Sequence, residues 1–241
     1  MIAAFIFIFG VIVGSFLNVV IYRIPLGKNI AFPPSHCPSC KTSLKWRHNV
    51  PIFSWVFLKG KCYFCHASIS KRYPIIELLS GILFLMIYFK VGLVWQLPFV
   101  FASFASLLAL SVIDFDHMAV PDSVNIAALI FALVQPDFIY AALYALIAAI
   151  GLYAAGLIAS MLAKKEAMGS ADVIVAGTMG ALLGLPLFFV AIFLSALIAL
   201  IPSLVHREKG VPFVPFLALS TLIIYIFNNQ TDTLLTKVLY G

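Results

Sequence analysis

Two aspartates at the edges of apolar runs, Asp114 and Asp172, and four cysteines in two Cys-x-x-Cys pairs are the residues best suited to chemistry. A carboxylate at the centre of a membrane helix costs roughly 2.5–3.5 kcal/mol on insertion scales, so membrane chains keep such groups where they face a protein interior. Two carboxylates sharing a desolvated site do not both ionise readily, and one keeps its proton. The ionised partner can then deprotonate water while the protonated one polarises a peptide carbonyl and later serves the leaving amine. That chemistry is aspartyl proteolysis and needs no nucleophilic side chain. The same residues also fit two other readings: helix caps, with Asp122 after Pro121 and Asp172 accepting from free N–H groups, or an ion or proton pathway.

The cysteines are Cys37-Pro-Ser-Cys40 and Cys62-Tyr-Phe-Cys65, with 21 residues between the pairs. This is close to zinc-ribbon spacing; the alternatives are two disulfides, were the loop on the outer side, or redox pairs. Each turn offers two thiolates, and two such turns complete a tetrahedral S₄ shell. A closed shell leaves no open coordination position, so the zinc is expected to be structural. His36 and His66 flank the cysteines and are read as solvated loop residues, with substitution as ligands the alternative.

The elements that position these groups are apolar almost throughout. Of 241 residues 63% are hydrophobic and 10% charged, against about 25% charged in soluble domains; the mean hydropathy of +1.12 agrees. The expected fold is an all-α polytopic membrane protein. About eight transmembrane helices are expected, over 2–22, 74–95, 97–113, 123–136, 138–162, 172–186, 187–205 and 211–229. The fourth and sixth are short for a bilayer and are expected to be surrounded by neighbours or to lie near a water-filled cavity. The domain reading is a first helix over 1–22, a zinc-binding loop over 23–73 and a transmembrane core over 74–241.

Nine of the 15 Lys and Arg residues lie within 23–73, which the positive-inside rule assigns to the cytoplasm. With eight spans Lys164, Lys165, Arg207 and Lys209 also fall inside, and only Lys90 and Lys237 fall outside. The N-terminus then faces outward. The first helix is retained, since its positive charge follows rather than precedes it. Anionic lipid headgroups account for the net charge of +6, and no nucleic-acid partner is expected.

Among the nine acids, Glu166 and Glu208 sit beside cations in turns, Asp137 follows Pro136, and Asp232 lies near the end of the sequence. The remaining three clusters are Asp114-Phe-Asp-His-Met-Ala-Val-Pro-Asp122, Gly169-Ser-Ala-Asp172, and Glu77 just after Tyr73-Pro74.

Several segments together resemble the bacterial type IV prepilin peptidases, which are GxGD-type intramembrane aspartyl proteases. They are Gly14-Ser-Phe-Leu-Asn-Val-Val-Ile-Tyr-Arg-Ile-Pro25, Ser35-His-Cys-Pro-Ser-Cys40, Leu44-Lys-Trp46, Asn49-Val-Pro51, Gly60-Lys-Cys-Tyr-Phe-Cys65, Tyr73-Pro-Ile-Ile-Glu-Leu78, and the two aspartate segments. The resemblance implies an inner-membrane enzyme that removes the basic leader of prepilins and pseudopilins on the cytoplasmic side. It also implies N-methylation of the new terminus with S-adenosylmethionine. Carried over by residue, Asp114 and Asp172 are the catalytic pair, with Asp116 and Asp122 in reserve. Cys37, Cys40, Cys62 and Cys65 are the zinc ligands, and Glu77 matches a family position to which no role is carried over, a candidate to test for substrate or methyl-donor contact. The methyl-donor site has no motif of its own; the loop 23–73 and adjoining helix ends are its candidates. Two positions depart from the family pattern: Ala171 stands for the second glycine of GxGD, and Val214 for the glycine of Pro-Phe-Gly-Pro. The rival reading is a small proton-coupled transporter or channel using Asp114, Asp172 and Glu77. Internal symmetry would favour it, and no repeat is visible.

Overall fold

A computed structural model describes residues 1–164, 168–205, 211–231 and 233. The expected charges at Lys165, Glu166, Arg207, Glu208, Lys209, Asp232 and Lys237 lie outside the described residues. The helices are α1 (Ile2–Arg23), the short α2 (Phe53–Phe57), α3 (Arg72–Val91), α4 (Leu97–His117), α5 (Asp122–Leu133), α6 (Phe138–Ala163), α7 (Ser170–Leu183), α8 (Leu185–Val205) and α9 (Val214–Ile226). Among the described residues there is no strand, only two isolated antiparallel bridges. The chain forms two compact units, 1–92 and 93–241.

In the first unit α1 packs along α3. The approach is close because Gly14 lacks a side chain: a Cβ there would stand 2.7 Å from the Cα of Glu77. Asn18, buried on α1, donates from Nδ2 to Tyr73 O at 3.2 Å and to Gly14 O at 3.3 Å, tying the two helices at one end. Arg23 closes α1 by donating to the carbonyls of Asn29, Ile30 and Pro33, which folds the following loop back over its own start.

In the second unit α4 packs on α5 and α9, and α7 packs on α5, α6, α8 and α9. Ser103 on α4 donates to Ala128 O on α5 at 2.9 Å. Gly180 lets α7 approach α6, since a Cβ there would lie 2.5 Å from Tyr144 O.

Five helices, α1, α3, α4, α6 and α8, are long and apolar enough to cross a membrane, and α5, α7 and α9 are shorter apolar helices. At 1.5 Å per residue the 12–14 residues of those three reach only about 18–21 Å, against a hydrocarbon core of about 30 Å. Of the three, α7 is buried along most of its length, while α5 and α9 each bury part of their surface. The sequence singled out the fourth and sixth segments as short; the last one is short as well.

The boundaries correct the sequence reading in three places. The second long helix begins at Arg72, before Pro74, because proline in a first turn forfeits no helical hydrogen bond. The third runs on to His117, so Asp114 lies inside its last turn rather than just past its end, and the chain leaves through Met118 in a left-handed conformation (φ 50°). Finally, Pro121 and Gly169 occupy the N-cap positions of α5 and α7; Asp122 is the first helical residue and Asp172 the third.

Candidate active site and metal centre

Asp114 and Asp172 come from different helices of the second unit, and both are buried. Asp114 lies in the last turn of α4, and Asp172 in the first turn of α7. They stand close enough for their charges to interact. Each is held by backbone N–H groups. Val214 N donates to Asp114 Oδ2 at 3.1 Å, and the N–H of Phe213 also bears on that carboxylate. The N–H of Gly169 bears on the Asp172 carboxylate, while Asp172 N donates to Gly169 O at 3.2 Å. An acid at the third helical position reaching back to the N-cap amide is a capping arrangement. The capping and catalytic readings of Asp172 are therefore compatible.

The donors to Asp114 lie in Val211-Pro-Phe-Val-Pro-Phe216, which the sequence reading treated only as a family segment with one departure. A signal was present: proline in the first turn marks a helix start, where N–H groups lack helical partners. Pro215 makes α9 begin at Val214, and the freed amides there meet Asp114. Asn125, also unanticipated, is fully buried on α5 and donates to Ala171 O at 2.9 Å. It ties the helix after the first aspartate segment to the turn carrying Asp172. Asp116, Asp122 and His117 are exposed. Ala171 lies within α7, and neither it nor Val214 has a positive φ, so neither backbone position requires glycine.

Glu77 belongs to the first unit. It is buried on α3 and accepts the N–H of Ile52 at 2.6 Å through Oε2; Ser15 also hydrogen-bonds it. Ile52 has φ 61° and ψ −55°, and Phe53 N donates across it to Pro51 O at 2.6 Å, which is a γ-turn, rare for a β-branched residue.

The loop between α1 and α3 carries two matching knuckles. In the first, Lys41 N donates to Cys37 O at 2.9 Å, Cys37 N to Thr42 O at 3.0 Å, and Leu44 N to Ser35 O at 2.8 Å. Twenty-five positions on, His66 N donates to Cys62 O at 3.0 Å, Cys62 N to Ala67 O at 2.8 Å, and Ile69 N to Gly60 O at 2.7 Å. The residue after the second cysteine is left-handed in both, Lys41 at φ 59° and His66 at φ 57°.

The knuckles bring the four Sγ atoms within 4.8 Å of one another, and all four cysteines are free thiols. A tetrahedral shell with metal–sulfur bonds of about 2.3 Å has edges of roughly 3.8 Å, and Cys37 Sγ lies 3.8 Å from Cys65 Sγ. The four cysteines can therefore hold a metal such as zinc. The Thr42 hydroxyl and N–H hold the Cys40 thiol down at about 6, and the N–H groups of Cys65 and Phe64 hold Cys62 below the usual thiol range. At Cys65 the Ala67 N–H favours the thiolate, but desolvation and the neighbouring sulfurs push the thiol up to about 11.

A helical membrane protein with a buried acid pair and a four-cysteine module is the class that fold and site define. The profile described as Bacterial Peptidase A24 N-terminal domain matches residues 8–91, and that of the Type IV leader peptidase family matches residues 99–204. The "Prepilin leader peptidase/N-methyltransferase" of Stutzerimonas stutzeri is 31% identical over 92% of this chain and 90% of its own. The protein of that name from Neisseria gonorrhoeae is 33% identical over 92% and 90%. The "Type 4 prepilin-like proteins leader peptide-processing enzyme" of Escherichia coli O78:H11 is 36% identical over 86% of each. No solved structure matches. The chain belongs to the type IV leader peptidase family.

Proposed function

We infer that this protein is a membrane-embedded aspartyl endopeptidase that cuts the leader from type IV prepilins and pseudopilins and N-methylates the new amino terminus. The observation that carries the peptidase reading is the pairing of buried Asp114 and Asp172 from separate helices, in a chain of this family. One carboxylate takes a proton from water, and the hydroxide attacks the scissile carbonyl. The other, carrying a proton, polarises that carbonyl oxygen and then protonates the leaving amine. The N–H groups of Val214 and Phe213 hold Asp114 in place for this exchange, and Gly169 does the same for Asp172.

The topology that suits this role has eight membrane helices in the bacterial inner membrane, an outward N-terminus and a cytoplasmic loop. In it 1–22 is the first span, 23–73 the metal module and 74–241 the catalytic core. The three short helices lie among longer neighbours. Zinc bound by Cys37, Cys40, Cys62 and Cys65 serves as a staple for a loop that has little apolar core. The methylation half rests on the family. Two clefts in the first unit, of about 440 and 370 Å³, contain no carboxylate for the hydroxyls or ammonium of S-adenosylmethionine.

Purified protein in liposomes, given a prepilin-like substrate and labelled S-adenosylmethionine, is expected to release the leader and place label on the new N-terminal residue. Intact substrate under these conditions would overturn the peptidase assignment. Cleavage without label would remove the methyltransferase.

A further inference from the structure

We propose that α2 and the cleft beside it form an interfacial foot that binds an anionic phospholipid of the membrane crossed by α1 and α3. Within α2, Trp55 turns inward: its Nε1 donates to Ile69 O at 3.1 Å, and its ring fills the space that a side chain at Gly60 would need. Phe53, Val56 and Phe57, spaced to share one helix face, point outward and are 64%, 57% and 79% exposed. A water-facing module gains nothing from such a face.

The depth of this face follows from Glu77. That residue lies five positions past Arg72, where α3 begins, which at 1.5 Å per residue is about 7–8 Å along the helix. Its hydrogen bond to Ile52 N anchors the start of α2 at that level. Membrane-lying apolar faces bury about 5–10 Å into the headgroup and acyl boundary.

Charge selects the lipid. Between residues 24 and 76 there are eight Lys and Arg residues and no Asp or Glu. The cleft of about 440 Å³ is lined by Phe53 and Phe57 together with Arg47, His48, Ser54 and Tyr63. A lining that combines aromatic side chains with a guanidinium suits an acyl chain with an anionic headgroup. The proposal requires only that α1 and α3 span a bilayer, so it stands or falls separately from the peptidase assignment.

The test uses full-length protein in nanodiscs of mixed phosphatidylglycerol and phosphatidylcholine. Photoreactive benzoylphenylalanine replaces Phe57 or, in a second variant, Phe53; replacement of exposed Lys41 is the aqueous control. Lipid adducts are expected at 57 and 53 and not at 41, with phosphatidylglycerol enriched above its mole fraction. The additional change Arg47→Gln is expected to cut that enrichment about fivefold while adducts persist. Crosslinks into residues 93–241, or no adduct at either phenylalanine, would overturn the proposal, and adducts without phosphatidylglycerol enrichment would reject the anionic headgroup.

Discussion

Asp114 and Asp172 are held by main-chain amides rather than by other side chains, and this decides which substitutions are informative. Asparagine keeps an acceptor oxygen for the Val214 and Gly169 N–H groups but removes the ionisable proton. Asp114→Asn is therefore expected to insert and accumulate normally while losing cleavage by 10²–10⁴-fold, as roughly befits loss of a general acid or base. Leader cleavage per mole of correctly folded protein measures this. Ala171 makes the opposite case, because its helical backbone has no need of glycine. Ala171→Gly should leave cleavage within about threefold and lower stability by up to about 1 kcal/mol, the helix-propensity difference; a thermal melt beside the cleavage assay checks both. The chemistry-bearing residues were legible in the sequence because carboxylates and paired cysteines are conspicuous in so apolar a chain. Their amide donors were not, since Val214 meets Asp114 across 100 positions through a backbone group that any residue supplies.

At the level of elements, the apolar runs gave away the helices, and helix-start chemistry corrected their ends. Pro74 and Pro215 each sit in a first turn, where proline fits, and Asp122 and Asp172 follow their caps rather than forming them. The metal loop divides in the same way. Cysteine spacing revealed the two knuckles, whereas the placement of α2 depends on Glu77 and Ile52, a contact no local pattern encodes. Replacing the four cysteines by serine should remove about one metal ion per chain, read by elemental analysis of purified protein. Retention of stoichiometric metal would contradict the S₄ site. The α1–α3 contact is equally exposed to test. Gly14→Val places methyl groups against the α3 backbone at a point where even a Cβ is 2.7 Å from Glu77 Cα. Overpacking of this kind costs about 1–3 kcal/mol, visible as a lowered unfolding temperature in detergent.

For the whole molecule, the expectation is that methyl transfer does not use the acid pair. The acids belong to 93–241, while the cysteines and Glu77 belong to 1–92. Methyl transfer to pre-cleaved substrate should therefore survive Asp172→Asn. A labelled-methyl assay on such a substrate gives the answer, and loss of methylation together with cleavage would merge the sites. The most direct test of the acid pair is leader cleavage by wild type and Asp172→Asn side by side in liposomes, after both have been shown to be folded and inserted. Processing by wild type alone is the predicted result. Equal processing by both would contradict the account, because the second catalytic acid would then have to lie elsewhere.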